Sequence, residues 1–105
     1  MDFKTDIENR IKIDFGEKSS EAFKILKAAI RKTDYLKTDR VIRCIIFLSE
    51  KSIEKLNQNI ELATVDTRDV MYLAEYINRE EFGSAKRVRD FNKVFEDSET
   101  NVMEN

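Results

Sequence analysis

The side chains able to do chemistry in this chain are arginines, carboxylates and tyrosines, and their placement favours recognition over catalysis. Arg43 interrupts the apolar run Val41-Ile42-Arg43-Cys44-Ile45-Ile46-Phe47-Leu48. A guanidinium in that setting needs a carboxylate, because removing one partner of a buried pair costs about 3–5 kcal/mol. Asp69 and Glu75 are the expected partners, with Tyr72 and Tyr76 one helical turn apart beside them. If their helix packs on that of Arg43, the group is either an ion pair fixing the register of two helices or a small polar recognition pocket rimmed by tyrosines. The acid pairs Glu50 with Glu54, Asp66 with Asp69, and Glu80 with Glu81 could hold Mg²⁺ only if oxygens converge on them from separate elements. Read simply, they are caps and exposed helix charges.

Composition excludes most catalytic machinery. There is no histidine and one cysteine, so His-based acids, bases, triads and metal ligands are absent, as are a thiolate zinc cluster and an intrachain disulfide. Gly16 and Gly83 are too few for a phosphate-cradling loop. No catalytic residue, metal ligand or cofactor-binding residue is assigned, no cofactor is expected, and the chain reads as a non-enzyme. Cys44, inside the apolar run, reads as a small buried hydrophobe.

The elements that must hold these groups are helices. The chain has 105 residues, no proline and two glycines, whereas a small β-protein needs turn residues every ~8–12 positions. The expected fold is all-α, a single domain over residues 1–95, with residues 96–105 a disordered acidic tail. Five or six short helices surround a central one at about 39–48. Phe3, Ile7 and Ile11 mark the first helix, which stops at Gly16. Ser19 and Ser20 are candidate N-caps for the second, whose inner face is Ala22, Phe23, Leu26, Ala29, Ile30 and Thr33. Thr38 or Asp39 caps the third. Its apolar side chains sweep roughly 260° of the circumference, so neighbours must cover it on most sides.

Ser49 or Ser52 starts the fourth helix, with Ile53, Leu56, Ile60 and Ala63 inward. Asp66 caps the fifth, with Asp69 as the reciprocal member of a capping box, and Val70, Leu73, Ala74 and Ile77 inward. In residues 84–95, Val88, Phe91 and Phe95 would share one helical face, but an extended arm over Val88 to Asn92 fits almost as well, so helix and arm both stay open.

The net charge of −2 hides a division. Residues 24–43 carry seven bases against Asp34 and Asp39, a local +5. From Glu61 to Glu81 six acids face two bases, and Lys86, Arg87, Arg89 and Lys93 then return the sign to positive. The fourth and fifth helices have the length of a helix-turn-helix, but the start of the second offers Asp66, Thr67, Arg68 and Asp69, which phosphates would repel. The opening Met1-Asp2-Phe3-Lys4 does not resemble a signal peptide, and no apolar run approaches the ~20 residues of a membrane span, so a cytoplasmic location without membrane contact is expected.

The run from Asp39 to Leu48, followed by Asp66-Thr67-Arg68-Asp69-Val70 and Ala74-Glu75-Tyr76, resembles a group of small bacterial proteins of unknown function. That resemblance implies a small helical domain and no site.

The reading is a non-enzymatic protein-interaction module that self-associates as a homo-oligomer such as a homodimer, with Tyr72, Tyr76, Phe82, Phe91 and Phe95 as apolar contacts and opposed charge patches setting orientation. The alternative is a nucleic-acid-associated regulator using Lys24, Lys27, Arg31, Lys32, Arg40, Lys86, Arg87 and Arg89, against which stands a pI near 5.3.

Overall fold

The structure is a computed structural model and describes residues 3–80 and 83–100. Helices dominate, in the order α1 (Thr5–Phe15), α2 (Ser19–Lys32), α3 (Asp39–Ser49), α4 (Ile53–Val65), α5 (Thr67–Glu75) and α6 (Phe95–Thr100). The one sheet among the described residues pairs β1 (Tyr76–Ile77) with β2 (Lys86–Arg87), antiparallel, Tyr76 opposite Arg87 and Ile77 opposite Lys86. Phe82 lies outside the described residues, as does Glu81.

Local chemistry sets the helix ends. Gly16 stops α1 with φ +49°, a backbone conformation that glycine takes without a Cβ penalty, and its amide donates to the Lys12 carbonyl. Ser19 and Ser20 do not cap α2: Lys18 occupies the N-cap, no side-chain cap forms, and both serines lie inside the helix. The 3₁₀ turn Gly16–Lys18 runs straight into α2 and leaves no extended residue from which a serine could reach back. Thr38 caps α3, its hydroxyl accepting from the Val41 amide at 3.3 Å. α3 ends where Glu50 and Lys51 both take positive φ, and Ser52 then caps α4 by accepting from the Lys55 amide. Asp66 caps α5 through the Arg68 amide at 2.9 Å. The reciprocal half of the capping box is not made, because the Asp66 amide already donates to the Leu62 carbonyl of α4.

α3 is the centre. Val41 to Ile46 are all buried along it, and α1, α4 and α5 pack on its sides. α1 contributes Ile7, Ile11 and Phe15; α2 contributes Ala22, Leu26 and Ile30; α4 contributes Leu56 and Ala63. α5 departs from its expected inner face. Val70 and Ala74 are buried, but Leu73 and Ile77 are about two-fifths exposed, at 37% and 39%, and Glu75 is fully buried instead. The cause is the abrupt end of the helix at Glu75: the backbone becomes extended at Tyr76, and a strand does not continue the helical phase that would have carried Ile77 inward.

The segment left open between helix and arm is an arm. After β2 it crosses the helices, turns at Phe91–Asn92, and enters α6. Phe91 and Phe95 are buried in the core, their rings 5.8 Å apart. They are therefore not the surface contacts expected of them. Residues 96–100, expected within an acidic tail, are helical instead, Phe95–Thr100 forming α6 with Ser98 buried. Residues 101–105 lie outside the described residues.

Candidate functional site

A buried carboxylate, Glu75, and a partly buried one, Asp6, clamp this arm with two arginines, Arg40 and Arg43. Arg43 faces Asp6 of α1, donating from Nε to Oδ2 at 2.9 Å and from Nη2 to Oδ1 at 3.1 Å, a bidentate pair. Its third donor, Nη1, reaches the Phe91 carbonyl at 3.1 Å. Asp6 Oδ2 also accepts from the Phe95 amide at 3.1 Å. Burial tends to raise the Asp6 pKa. The Arg43 hydrogen bonds, the Phe95 amide and the Arg43 charge outweigh it and hold this carboxyl below its ordinary range.

The second clamp centres on Glu75. Arg40 donates to it from Nε at 3.0 Å and from Nη2 at 2.5 Å, and the Phe91 amide donates to Oε2 at 2.9 Å. Arg87 Nε stands 3.4 Å from Oε1, near enough to pair in charge but without hydrogen-bond geometry, and it is the one buried side-chain nitrogen or oxygen without a partner among the described residues. The Glu75 carbonyl takes the Val88 and Arg89 amides. Phe91 is thus held at its amide by Glu75 and at its carbonyl by Arg43.

This overturns the expected pairing of Arg43 with Asp69 and Glu75. Asp69 lies exposed on α5, and Glu75 belongs to Arg40. Asp6 was not anticipated. Asp6, Arg10 and Asp14 recur at four-residue spacing along one flank of the apolar stripe of α1, which is the sequence signal for it. Arg10 bonds Asp14 at 2.9 Å, pairs with Glu99 of α6, and lies 4.6 Å above the Phe95 ring.

An open cleft of about 1230 Å³ lies over this cluster, between α1, the start of α3 and the arm. Its arginines, Arg10, Arg40 and Arg43, are all engaged by carboxylates. What such a cluster does chemically is hold main chain: carboxylates accept amides and guanidinia donate to carbonyls. The other acid pairs do not converge. Glu50 takes Lys55, Glu54 bonds Gln58, and no group of three or more acids or cysteines among the described residues could hold a metal ion. Burial pushes the Cys44 thiol pKa strongly up, as for an inert core thiol.

No protein-family model, curated protein or solved structure matches this chain. No helix among the described residues is long and apolar enough to cross a membrane.

Two exposed faces complete the inventory. At the end of α5, Tyr72, Leu73 and Ile77 are exposed, and the Tyr72 and Tyr76 rings meet at 5.0 Å. Asp69, one helical turn before Tyr72 and Leu73, is exposed, as are Glu80, Arg79, which donates to the Leu73 and Tyr76 carbonyls, and Lys86, which pairs with Ile77 across the sheet. The expected nucleic-acid surface, by contrast, breaks up. Arg40 and Arg87 serve Glu75, and Arg89 donates to the Ala74 carbonyl while covering the Phe47 ring. Lys24, Lys27, Arg31, Lys32 and Lys86 remain exposed.

Proposed function

We propose that this chain is a non-catalytic protein-interaction module that self-associates through the face formed by Tyr72, Leu73, Tyr76 and Ile77. The observation that carries the reading is the exposure of Tyr72, Leu73 and Ile77, at 40%, 37% and 39%, within six residues of chain, with the Tyr72 ring in contact with that of Tyr76. Tyrosine is among the residues that dominate interface energetics, because it offers a large apolar surface at little cost in rotamer entropy. A second copy is the favoured occupant because both signs of charge border the face, Asp69 one turn before Tyr72 with Arg79 on the Leu73 and Tyr76 carbonyls and Lys86 opposite Ile77. Such a border is complementary to itself about a two-fold axis, the commonest symmetry of soluble oligomers. The buried arginines and carboxylates are committed to holding the arm, which leaves recognition at the surface as the function the side chains support.

Light scattering on chromatographed protein tests this. The wild-type chain is expected to run as a dimer at high concentration, and Tyr72→Asp and Ile77→Asp as monomers with unchanged helical circular dichroism. A wild-type monomer at every concentration, or dimers that survive both substitutions, would remove the proposal.

A further inference from the structure

The outward face of α2 has the opposite character to the tyrosine face. Ala22, Leu26 and Ile30 anchor the helix in the core, and Lys24, Lys27, Arg31 and Lys32 stand exposed around Ala28. At 100° per residue these four cations fall within an arc of about 140°, and Lys24 to Arg31 covers about 10 Å of helix axis. Among the described residues none of the four has an ion-pair or side-chain hydrogen-bond partner. Among the described residues Arg31 is the one arginine so placed: Arg10, Arg40, Arg43, Arg68, Arg79, Arg87 and Arg89 each bond a carboxylate or a carbonyl.

The helix dipole accounts for part of this arrangement, since Arg31 and Lys32 sit in the last turn. Lys24 and Lys27 lie one to two turns earlier, beyond its reach. A face of four cations with the single acid Glu21 repels its own copy, so it cannot serve the two-fold contact argued for the tyrosine face. Ala28 is its only exposed apolar side chain. A membrane-surface helix needs a large apolar face to bury, and a protein interface needs an apolar centre; this face has neither. It also lacks an aromatic on which an unpaired base could stack, and an Asn or Gln to read a base edge. What it fits is a rigid array of phosphates.

We propose that the exposed face of α2 binds the sugar–phosphate backbone of a duplex nucleic acid, without sequence preference, through Lys24, Lys27, Arg31 and Lys32. Exposed Glu21, one turn before Lys24, limits the contact to the later turns of the helix, so about four phosphates are neutralised.

Fluorescence anisotropy with a labelled mixed-sequence DNA duplex of ~20 base pairs tests this on the full chain. With four phosphate contacts, raising salt from 50 to 200 mM is expected to weaken binding by roughly 100-fold. Lys27→Glu with Arg31→Glu is expected to lower affinity at 50 mM salt by at least about tenfold with unchanged circular dichroism. Lys12→Glu, an exposed lysine of α1, is expected to change it less than about threefold. A second duplex of unrelated sequence should bind equally. The Tyr72→Asp variant should bind a duplex too, which separates this proposal from self-association. No binding at 50 mM salt, binding indifferent to the double reversal, or binding to phosphatidylserine vesicles but not to duplex would overturn it.

Discussion

Asp6 does more for this fold than its place near the start of the chain suggests. It neutralises a guanidinium whose side chain is 5% exposed and accepts an amide of the arm with the same oxygen. Asp6→Ala is therefore expected to lower the free energy of unfolding by about 3 kcal/mol in urea titration, the lower end for a broken buried pair, since solvent reaches the Asp6 rim. Replacing both partners, Asp6→Leu with Arg43→Met, is expected to cost less than Asp6→Ala alone in the same titration, because no unpaired charge is left behind.

Acid should act through the same group. Its pKa in the folded chain is depressed, so its contribution is complete above the unfolded value near ~3.9 and disappears as pH falls through the lower folded value. Asp90 is shifted the same way, burial opposing and the Asn92 amide and Arg87 charge prevailing. Stability measured between about pH 5 and pH 2 should fall more steeply for the wild type than for Asp6→Asn. The need of Arg43 for a carboxylate was legible in the sequence. Which carboxylate was not, because Asp6 is 37 residues away and only the packing of α1 on α3 brings it near.

Among the elements, those defined by local chemistry were the legible ones. Thr38, Ser52, Asp66 and Gly16 mark helix ends by their own hydrogen-bonding or backbone freedom, and the apolar sweep of α3 foretold a helix covered on most sides. The arm was not legible, since Val88, Phe91 and Phe95 fall at helical spacing although residues 88–94 form no helix; Phe91 and Phe95 are buried by helices distant in sequence. That is also why Phe91 read as a surface contact. Phe91→Ala is expected to destabilise by about 3–5 kcal/mol in the same titration, as for a large core aromatic. Tyr72→Ala, on the exposed face, should cost under about 1 kcal/mol in the monomer.

Across the whole molecule, charge is sorted by depth. Arginines with carboxylates seal the seam between helices and arm, while the lysines of α2 stay unpaired in solvent. A sequence count gives the local excess of bases in residues 24–43 but not this sorting, which takes Arg40 and Arg43 inward and leaves Lys24, Lys27, Arg31 and Lys32 outside. Cys44, enclosed by the same core, provides a global reporter. Its labelling by a thiol reagent should follow the rate or population of unfolding under each condition. Rapid labelling of the native chain would mean that the helices around α3 open locally.

The hydrogen bond from the Phe95 amide to Asp6 joins residues 89 positions apart. The length-dependent entropy of closing so large a loop is about 4 kcal/mol, which must be met before the contact gives anything back. Docking of the arm should therefore come late in folding, after the neighbouring helices have collapsed on one another. During synthesis, a growing polypeptide that has not yet reached Phe91 leaves Arg43 without the Phe91 carbonyl and the core without the rings of Phe91 and Phe95, a sticky intermediate of the kind chaperones bind.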